Sequence, residues 1–452
     1  MIMRLPEIKQ RGRELFAISA PMVVELLAIS VMGMVSTMLV ASIGEYAVSA
    51  VGMVDAVSNM IIALFAALTT GGTIVVSQYI GRQDVLSAKR AGGQAIILAA
   101  LLSIIAAAGI LIFRGQVLNA LFGGAEADVM EAALLFITIV TFSFPVLACL
   151  QTVFGILRGS GDTLTPMVVS IAMNVVNLAL GYTLINGFAV IPAMGVAGAG
   201  IALLISRSLG LLGVLIFVTT KAKGIKLNRL RYFKPNFEMQ KTILHLGMPT
   251  SFEQGLFQGG RLITQTFIVS ISTAAIATNA IANSLMGFIN VPGMAVSSGV
   301  MILVGQRIGR GEAEDVKRTV VFSVIAASGM FAVLGFITFL IRNPLFALFN
   351  PSPEALQLLP MVVISYLIAT PLVWSISFVV PSSLRATGDV LYTMIVSISS
   401  MMLLRVAFSY VFAIVLGWGV IGIWLAMYLD WIGRSLLFLP RLLSGKWKGK
   451  GV

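Results

Sequence analysis

Eight ionisable side chains lie well inside long apolar stretches of this 452-residue sequence: Glu25, Asp55, Glu253 and Asp430, with Arg207, Arg261, Arg405 and Arg434. A charge at the centre of a bilayer costs about 2.5–3.5 kcal/mol on insertion scales, so each is a functional hypothesis. Two of the acids form an echo. Pro21-Met-Val-Val-Glu25 returns 228 residues later as Pro249-Thr-Ser-Phe-Glu253. Each glutamate is ten residues into its apolar run, about 15 Å at the helical rise and near the middle of a roughly 30 Å core. A desolvated carboxylate there can exchange a proton for a cargo cation or bind sodium directly. The proline four residues earlier frees a backbone carbonyl as a further oxygen ligand. Glu253, Glu25 and Asp55 are therefore the candidate cation-coupling residues. The plainer reading of either glutamate is a protonated side chain hydrogen-bonded to a neighbouring helix.

Amides accompany the charges. Asp55 and Asn59 share one helical stripe, Asn174 and Asn177 another, and Asn279, Asn283 and Asn290 a third. Such amides either join helices or line a wet cavity, so Asn59, Asn174, Asn177, Asn279 and Asn283 are candidate cavity residues. Arg261, two turns beyond Glu253, is a sixth. Asp430 and Arg434, four apart, can pair on one helix face as a structural unit. Arg207 and Arg405 have no local partner. Cys149 is the single cysteine and His245 the single histidine. Disulfide frameworks, thiolate metal sites and Ser/His/Asp catalysis are thereby disfavoured, and the expectation is a protein that is not an enzyme and holds no cofactor.

The elements that must position these residues follow from composition. Hydrophobic residues make up 58% and charged residues 11%, with a mean hydropathy of +1.00, which points to a polytopic membrane protein. Twelve apolar runs, near 15–41, 50–77, 92–113, 129–155, 166–186, 195–219, 243–270, 276–304, 319–341, 355–383, 391–415 and 420–440, are each long enough to cross a bilayer as a helix. The first is longer than the apolar part of a signal peptide and lacks a small-residue cleavage site, so it is read as a retained helix. With the N-terminus inside, 24 of the 30 lysines and arginines fall on inside segments. That distribution places both termini in the cytoplasm and the chain in the cell membrane. The net charge of +12 then reports contact with anionic lipid on the cytoplasmic side and not nucleic-acid binding.

The echo extends along the chain. Gln78-Tyr-Ile-Gly-Arg82 matches Gln306-Arg-Ile-Gly-Arg310, Leu157-Arg-Gly-Ser-Gly-Asp162 matches Leu384-Arg-Ala-Thr-Gly-Asp389, and Gly195-Val-Ala-Gly198 matches Gly419-Val-Ile-Gly422. Segment 221–241, with seven basic residues, is the natural linker. The expected fold is all-α: two parallel six-helix lobes related by a pseudo-two-fold axis. Residues 1–219 form the first lobe, 220–242 a cytoplasmic basic linker and 243–452 the second. Arg158/Asp162 and Arg385/Asp389 read as pairs that fix tight turns. The glycine-plus-arginine endings at 81–82 and 309–310 read as helix C-termini.

On Leu157–Thr163, the Gly-Arg endings and Gly195–Gly200, the sequence resembles the MATE (multidrug and toxic compound extrusion) transporters over nearly its whole length. The resemblance implies antiport: organic, often cationic drugs or metabolites leave by alternating access as Na+ or H+ enters. It also implies acids that this chain lacks. The proton-coupled branch carries aspartates at places that are Ser36 and Gly181 here, and the sodium-coupled branch pairs its helix 7 glutamate with a helix 10 carboxylate. The tenth span here has no acid after Glu354. A second reading, a flippase for a lipid-linked oligosaccharide, requires a basic cleft for a pyrophosphate, for which Arg207 and Arg405 are the mid-membrane candidates.

Overall fold

The structure, a computed structural model, describes residues 5–188, 192–222 and 224–452. Parts of the expected basic opening segment (Met1–Arg4), of the first lobe (189–191) and of the linker (Lys223) lie outside the described residues. The rest is helical, and no strand is present among the described residues. The helices are α1 (Leu5–Ala41), α2 (Glu45–Gly81), α3 (Val85–Phe122), α4 (Ala127–Phe142), α5 (Phe144–Gly159), α6 (Leu164–Asn186) and α7 (Gly195–Thr220) in the first half. In the second they are α8 (Phe237–Ile271), α9 (Thr273–Gly309), α10 (Ala313–Leu340), the short α11 (Arg342–Ala347), α12 (Pro353–Ala369), α13 (Ser375–Ala386), α14 (Val390–Ser400), α15 (Ala407–Tyr410) and α16 (Gly419–Ser444). π-Helical turns at Thr370–Trp374, Met401–Val406 and Val411–Val415 join α12 to α13 and extend α14 and α15 into one span.

Ten of the described helical stretches are long and apolar enough to cross a membrane, and the α4–α5 pair, bent by 46°, makes an eleventh. Pro145 explains the bend, because it removes an amide from the ladder and crowds the preceding turn. The twelfth span is α8, 35 residues long but interrupted by Glu253 and Arg261. The lysine- and arginine-rich ends of the spans carry the turns at 82–84, 160–163, 310–312 and 387–389; each span also has a far end with few charges.

The chain divides into two compact units, 24–251 and 1–23 with 252–452. This division differs from lobes at 1–219 and 243–452 at two places, and local contacts explain both. In the 24–251 unit the start of α8 is built into α2. Ser251 Oγ donates to the Ala63 carbonyl at 2.9 Å and accepts from the Ala67 amide at 3.1 Å. A Cβ on Gly247 would overlap the Ala67 carbonyl, and one on Gly71 the Ile243 carbonyl. Gly71→Leu should therefore lower stability by about 1–3 kcal/mol. Gly52→Leu, where a Cβ meets nothing within 4 Å, serves as the control. Thermal melting of the two purified variants in one detergent checks this; equal melting temperatures would refute the close packing.

The same unit holds the linker. Gln94, buried on α3, donates to the carbonyls of Tyr232 (3.2 Å) and Lys234 (2.8 Å) and accepts from the Asn236 amide (3.0 Å) and the Gln240 side chain (2.9 Å). In the other unit the start of α1 is tied to α9 and α10. Arg11 pairs with Asp315 and donates to Thr319 Oγ1 at 2.8 Å, while Arg307 bridges Glu14 and Asp315 at 2.6 Å each. The C-terminal tail is fastened there as well. Asp389 accepts from Arg441 (2.7 Å) and Lys450 (2.6 Å), and Trp447 is fully buried.

Candidate functional site

The duplicated glutamates occupy equivalent settings. In the 24–251 unit Glu25 is buried, and both of its oxygens accept from Arg158 Nη2 at 2.7 Å. In the other unit Glu253 is buried and its Oε1 accepts from Arg385 Nη2 at 2.8 Å. Arg158 and Arg385 are each the next-to-last residue of their helix, α5 or α13, at the basic end. Their partners are thus the duplicated glutamates and not the aspartates of their own turns. Asp162 instead caps α6, accepting from the Thr165 amide (3.0 Å) and hydroxyl (2.7 Å), and Asp389 anchors the tail. The signal was present in the sequence: a twice-repeated acid and a twice-repeated base, separated by 133 and 132 residues.

Helix α1 begins at Leu5 and α8 at Phe237, well before their apolar runs. Glu25 is 20 residues from the start of α1 and 16 from its far end, and Glu253 is 16 and 18 from those of α8. Each glutamate thus stands near the middle of its own helix, where it meets an arginine from the basic end of α5 or α13. The two pairs are not equivalent in one respect: Glu253 Oε2 is buried without a hydrogen-bond partner, whereas both Glu25 oxygens are engaged; the Nε atoms of Arg158 and Arg385 are unpartnered alike.

Other charges lie nearer the far ends of their helices. In the 24–251 unit Asp55 is 10 residues from the far end of α2 and Arg207 is 12 from that of α7, about 15 and 18 Å. Arg207 donates to Ser143 Oγ at 2.6 Å, at the α4–α5 bend. Asp55 makes no hydrogen bond or ion pair among the described residues. The structure thus supplies Arg207 with a partner, Ser143, that the sequence did not name. Ser206 donates to Asn177 at 3.5 Å, placing that amide beside the same layer, whereas Asn174 donates to the Ser170 carbonyl of its own helix. Asn59 is exposed one turn beyond Asp55.

In the other unit the expected Asp430–Arg434 pair forms, with Arg434 Nε 2.8 Å from Asp430 Oδ1, and Ser400 Oγ donates to the same oxygen at 2.6 Å. The Arg434 guanidinium lies 4.6 Å over the Phe257 ring, and that of Arg405 lies 5.9 Å from it. Asn279 donates to Gln265 at 3.3 Å, and Asn283 donates to the Asn279 carbonyl. Arg261 is exposed on α8, one turn beyond Phe257. The structure therefore brings together Arg207 with Ser143 in one unit, and Phe257, Arg405 and the Asp430–Arg434 pair in the other. The duplicated glutamates belong to separate ion pairs, with arginines from the basic ends of α5 and α13.

The family profile described as MatE matches residues 21–183 and again 249–411. The two matches begin at Pro21 and Pro249, the first residues of the proline–glutamate echo. The chain belongs to the MatE family. Similar full-length relatives include the uncharacterized transporter YisQ of Bacillus subtilis, 27% identical over 97% of this chain and 95% of the relative. Another is the probable multidrug resistance protein NorM of Thermotoga maritima, 28% identical over 99% of this chain and 95% of the relative. Among solved structures, a point mutant of the Vibrio cholerae MATE transporter VcmN has a TM-score of 0.89 at 20% identity, covering 98% of this chain and 99% of that one. An outward-facing multidrug resistance MATE family transporter has a TM-score of 0.88 at 19% identity, covering 96% and 97%. The MatE chain is thus an all-α, twelve-span, two-lobed membrane protein, and its family is one of transporters.

Proposed function

We propose that this MatE protein is an antiporter that exports organic, cationic drugs or metabolites while Na+ or H+ flows inward, with Glu253 as its coupling residue. The observation that carries this reading is the free Oε2 of Glu253, a buried carboxylate oxygen with no hydrogen-bond partner beside an arginine that holds the other oxygen. Such an oxygen can take up a proton or ligate sodium without giving up the Arg385 contact. Glu25, with both oxygens on Arg158, is the less adaptable twin and is assigned a supporting role. Asp55, unpaired, is the coupling candidate of the first half. The names of the relatives, several of them multidrug resistance proteins, support export of foreign organic molecules.

The protein works in the cell membrane with both termini cytoplasmic, where its 24 inside basic residues meet anionic lipid. A pyrophosphate cargo, as the flippase reading requires, is less well served, because Arg207 is already engaged by Ser143. The test is substrate-induced ion flux in proteoliposomes, with sodium and proton gradients imposed separately. Flux driven by one gradient identifies the ion; substrate movement indifferent to both would overturn coupled antiport.

A further inference from the structure

The mid-depth layer of the unit formed by 1–23 and 252–452 has an imbalance of charge. Arg261, Arg405 and Arg434 stand there against one acid, Asp430. Arg261 is 10 residues from the far end of α8, Arg405 is 10 from the end of the π-turn at Val415, and Asp430 is 11 from the start of α16. All are thus about 15 Å deep, farther than an arginine side chain reaches to escape to the surface. Asp430 accepts from Arg434 and Ser400 through Oδ1, its Oδ2 being buried without a hydrogen-bond partner, and Arg434 also donates to the Ser397 carbonyl at 3.3 Å. Glu253, the next acid along α8, is held by Arg385 two turns away.

That leaves two guanidinium groups. Among the described residues neither Arg261 nor Arg405 makes a hydrogen bond or ion pair through its side chain. Arg405 has a buried Nε with no partner, and its guanidinium lies 5.9 Å from the centre of the Phe257 ring. The segments that carry the two arginines touch: a Cβ on Gly260, beside Arg261, would overlap Met401, one turn before Arg405. One turn beyond Arg261 the polar face continues with Gln265, which accepts from Asn279. Uncompensated charges at this depth are costly, and two like charges more so. A planar oxyanion is the group whose geometry matches a pair of guanidinium forks.

We propose that Arg261 and Arg405 form an anion-accepting subsite, and that it takes the carboxylate of an amphiphilic organic cargo. The carriage of that cargo rests on the export reading; the binding does not. The cargo class then extends from simple cations to zwitterions, whose cationic part is left for the acids already described.

The test uses two dyes that differ at one group: rhodamine 6G, a cationic ester, and rhodamine 19, its free carboxylate. Binding to the purified full chain is followed by fluorescence polarisation. The wild type should bind rhodamine 19, and Arg405→Gln or Arg261→Gln should weaken that binding about 10-fold or more, the loss of a hydrogen bond to a charged group, with rhodamine 6G shifted less than about 2-fold. Arg405→Lys, which keeps the charge but not the fork, should fall between. Three results would overturn the subsite: no binding of rhodamine 19 by wild type, equal weakening of both dyes, or weakening of neither. Displacement of rhodamine 19 by dihexanoyl phosphatidylglycerol, but not by benzoate, would assign the arginines to a lipid headgroup and overturn the cargo assignment. Arg261 is exposed, so its variant carries the test if Arg405→Gln does not fold. Failure of the wild type in proteoliposomes to move either dye, with the binding difference intact, counts against export and leaves the subsite standing.

Discussion

Glu253→Gln is expected to leave a folded protein in the membrane and to abolish ion-driven efflux. The glutamine carbonyl can still accept from Arg385 Nη2, which now holds Oε1 at 2.8 Å, so the contact across 132 residues survives. What is lost is the second oxygen. In the native side chain Oε2 is buried with no hydrogen-bond partner, a costly arrangement that a structural role alone does not require. An amide placed there neither gains a proton nor carries charge to a cation. The measurement is substrate efflux from proteoliposomes under an imposed gradient, with equal reconstitution shown by immunoblot. Normal gradient-driven efflux by the variant would remove Glu253 from the coupling mechanism. Glu25→Gln provides the contrast. Both Glu25 oxygens accept from Arg158, so that change weakens a bidentate ion pair and should appear first as reduced stability.

Asp430→Ala is expected to destabilise the protein by about 3–5 kcal/mol, the range for removing one member of a buried ion pair. The aspartate is fully buried, accepts from Arg434 and Ser400, and is the sole acid in a layer of three arginines. Without it Arg434 retains the Ser397 carbonyl and the Phe257 face, neither of which carries a compensating full charge. The double variant Asp430→Leu/Arg434→Met should recover much of the loss, because an apolar pair avoids the desolvation cost of both ions. Denaturation midpoints of the three purified proteins check this. A double variant no more stable than the single one would show that the pair contributes more than mutual neutralisation.

Much of this architecture was legible in the sequence because bilayer physics leaves few options. Runs of the right length must be helices, and basic residues collect at one set of ends, so all the expected spans but α8 could be read from apolar length. The Pro–Glu echo coincides with the starts of the two family matches. The arginine partners were missed because the nearest aspartates, four residues on, offered a local explanation, while the true contacts lie more than 130 residues away. Local spacing served only where the pair was itself local, as for Asp430 and Arg434. The α4–α5 bend was available from Pro145, but the π-turns near Arg405 have no comparable signal.

The unit boundaries fall within continuous helices, between Val23 and Val24 in α1 and between Ser251 and Phe252 in α8. Each half of the gene therefore encodes a short piece of the other half's architecture. A fragment cut in the linker keeps residues 5–23 without Asp315 and Arg307, and its complement keeps residues 237–251 without Ala63 and Gly71. Neither fragment carries the full set of contacts for even one unit. Synthesised alone, each should be cleared as an incomplete protein, whereas the two made together should rebuild the transporter. Exchanged helix ends thus give the duplicated chain a check on its own completeness, since two matched halves must be present before either is finished.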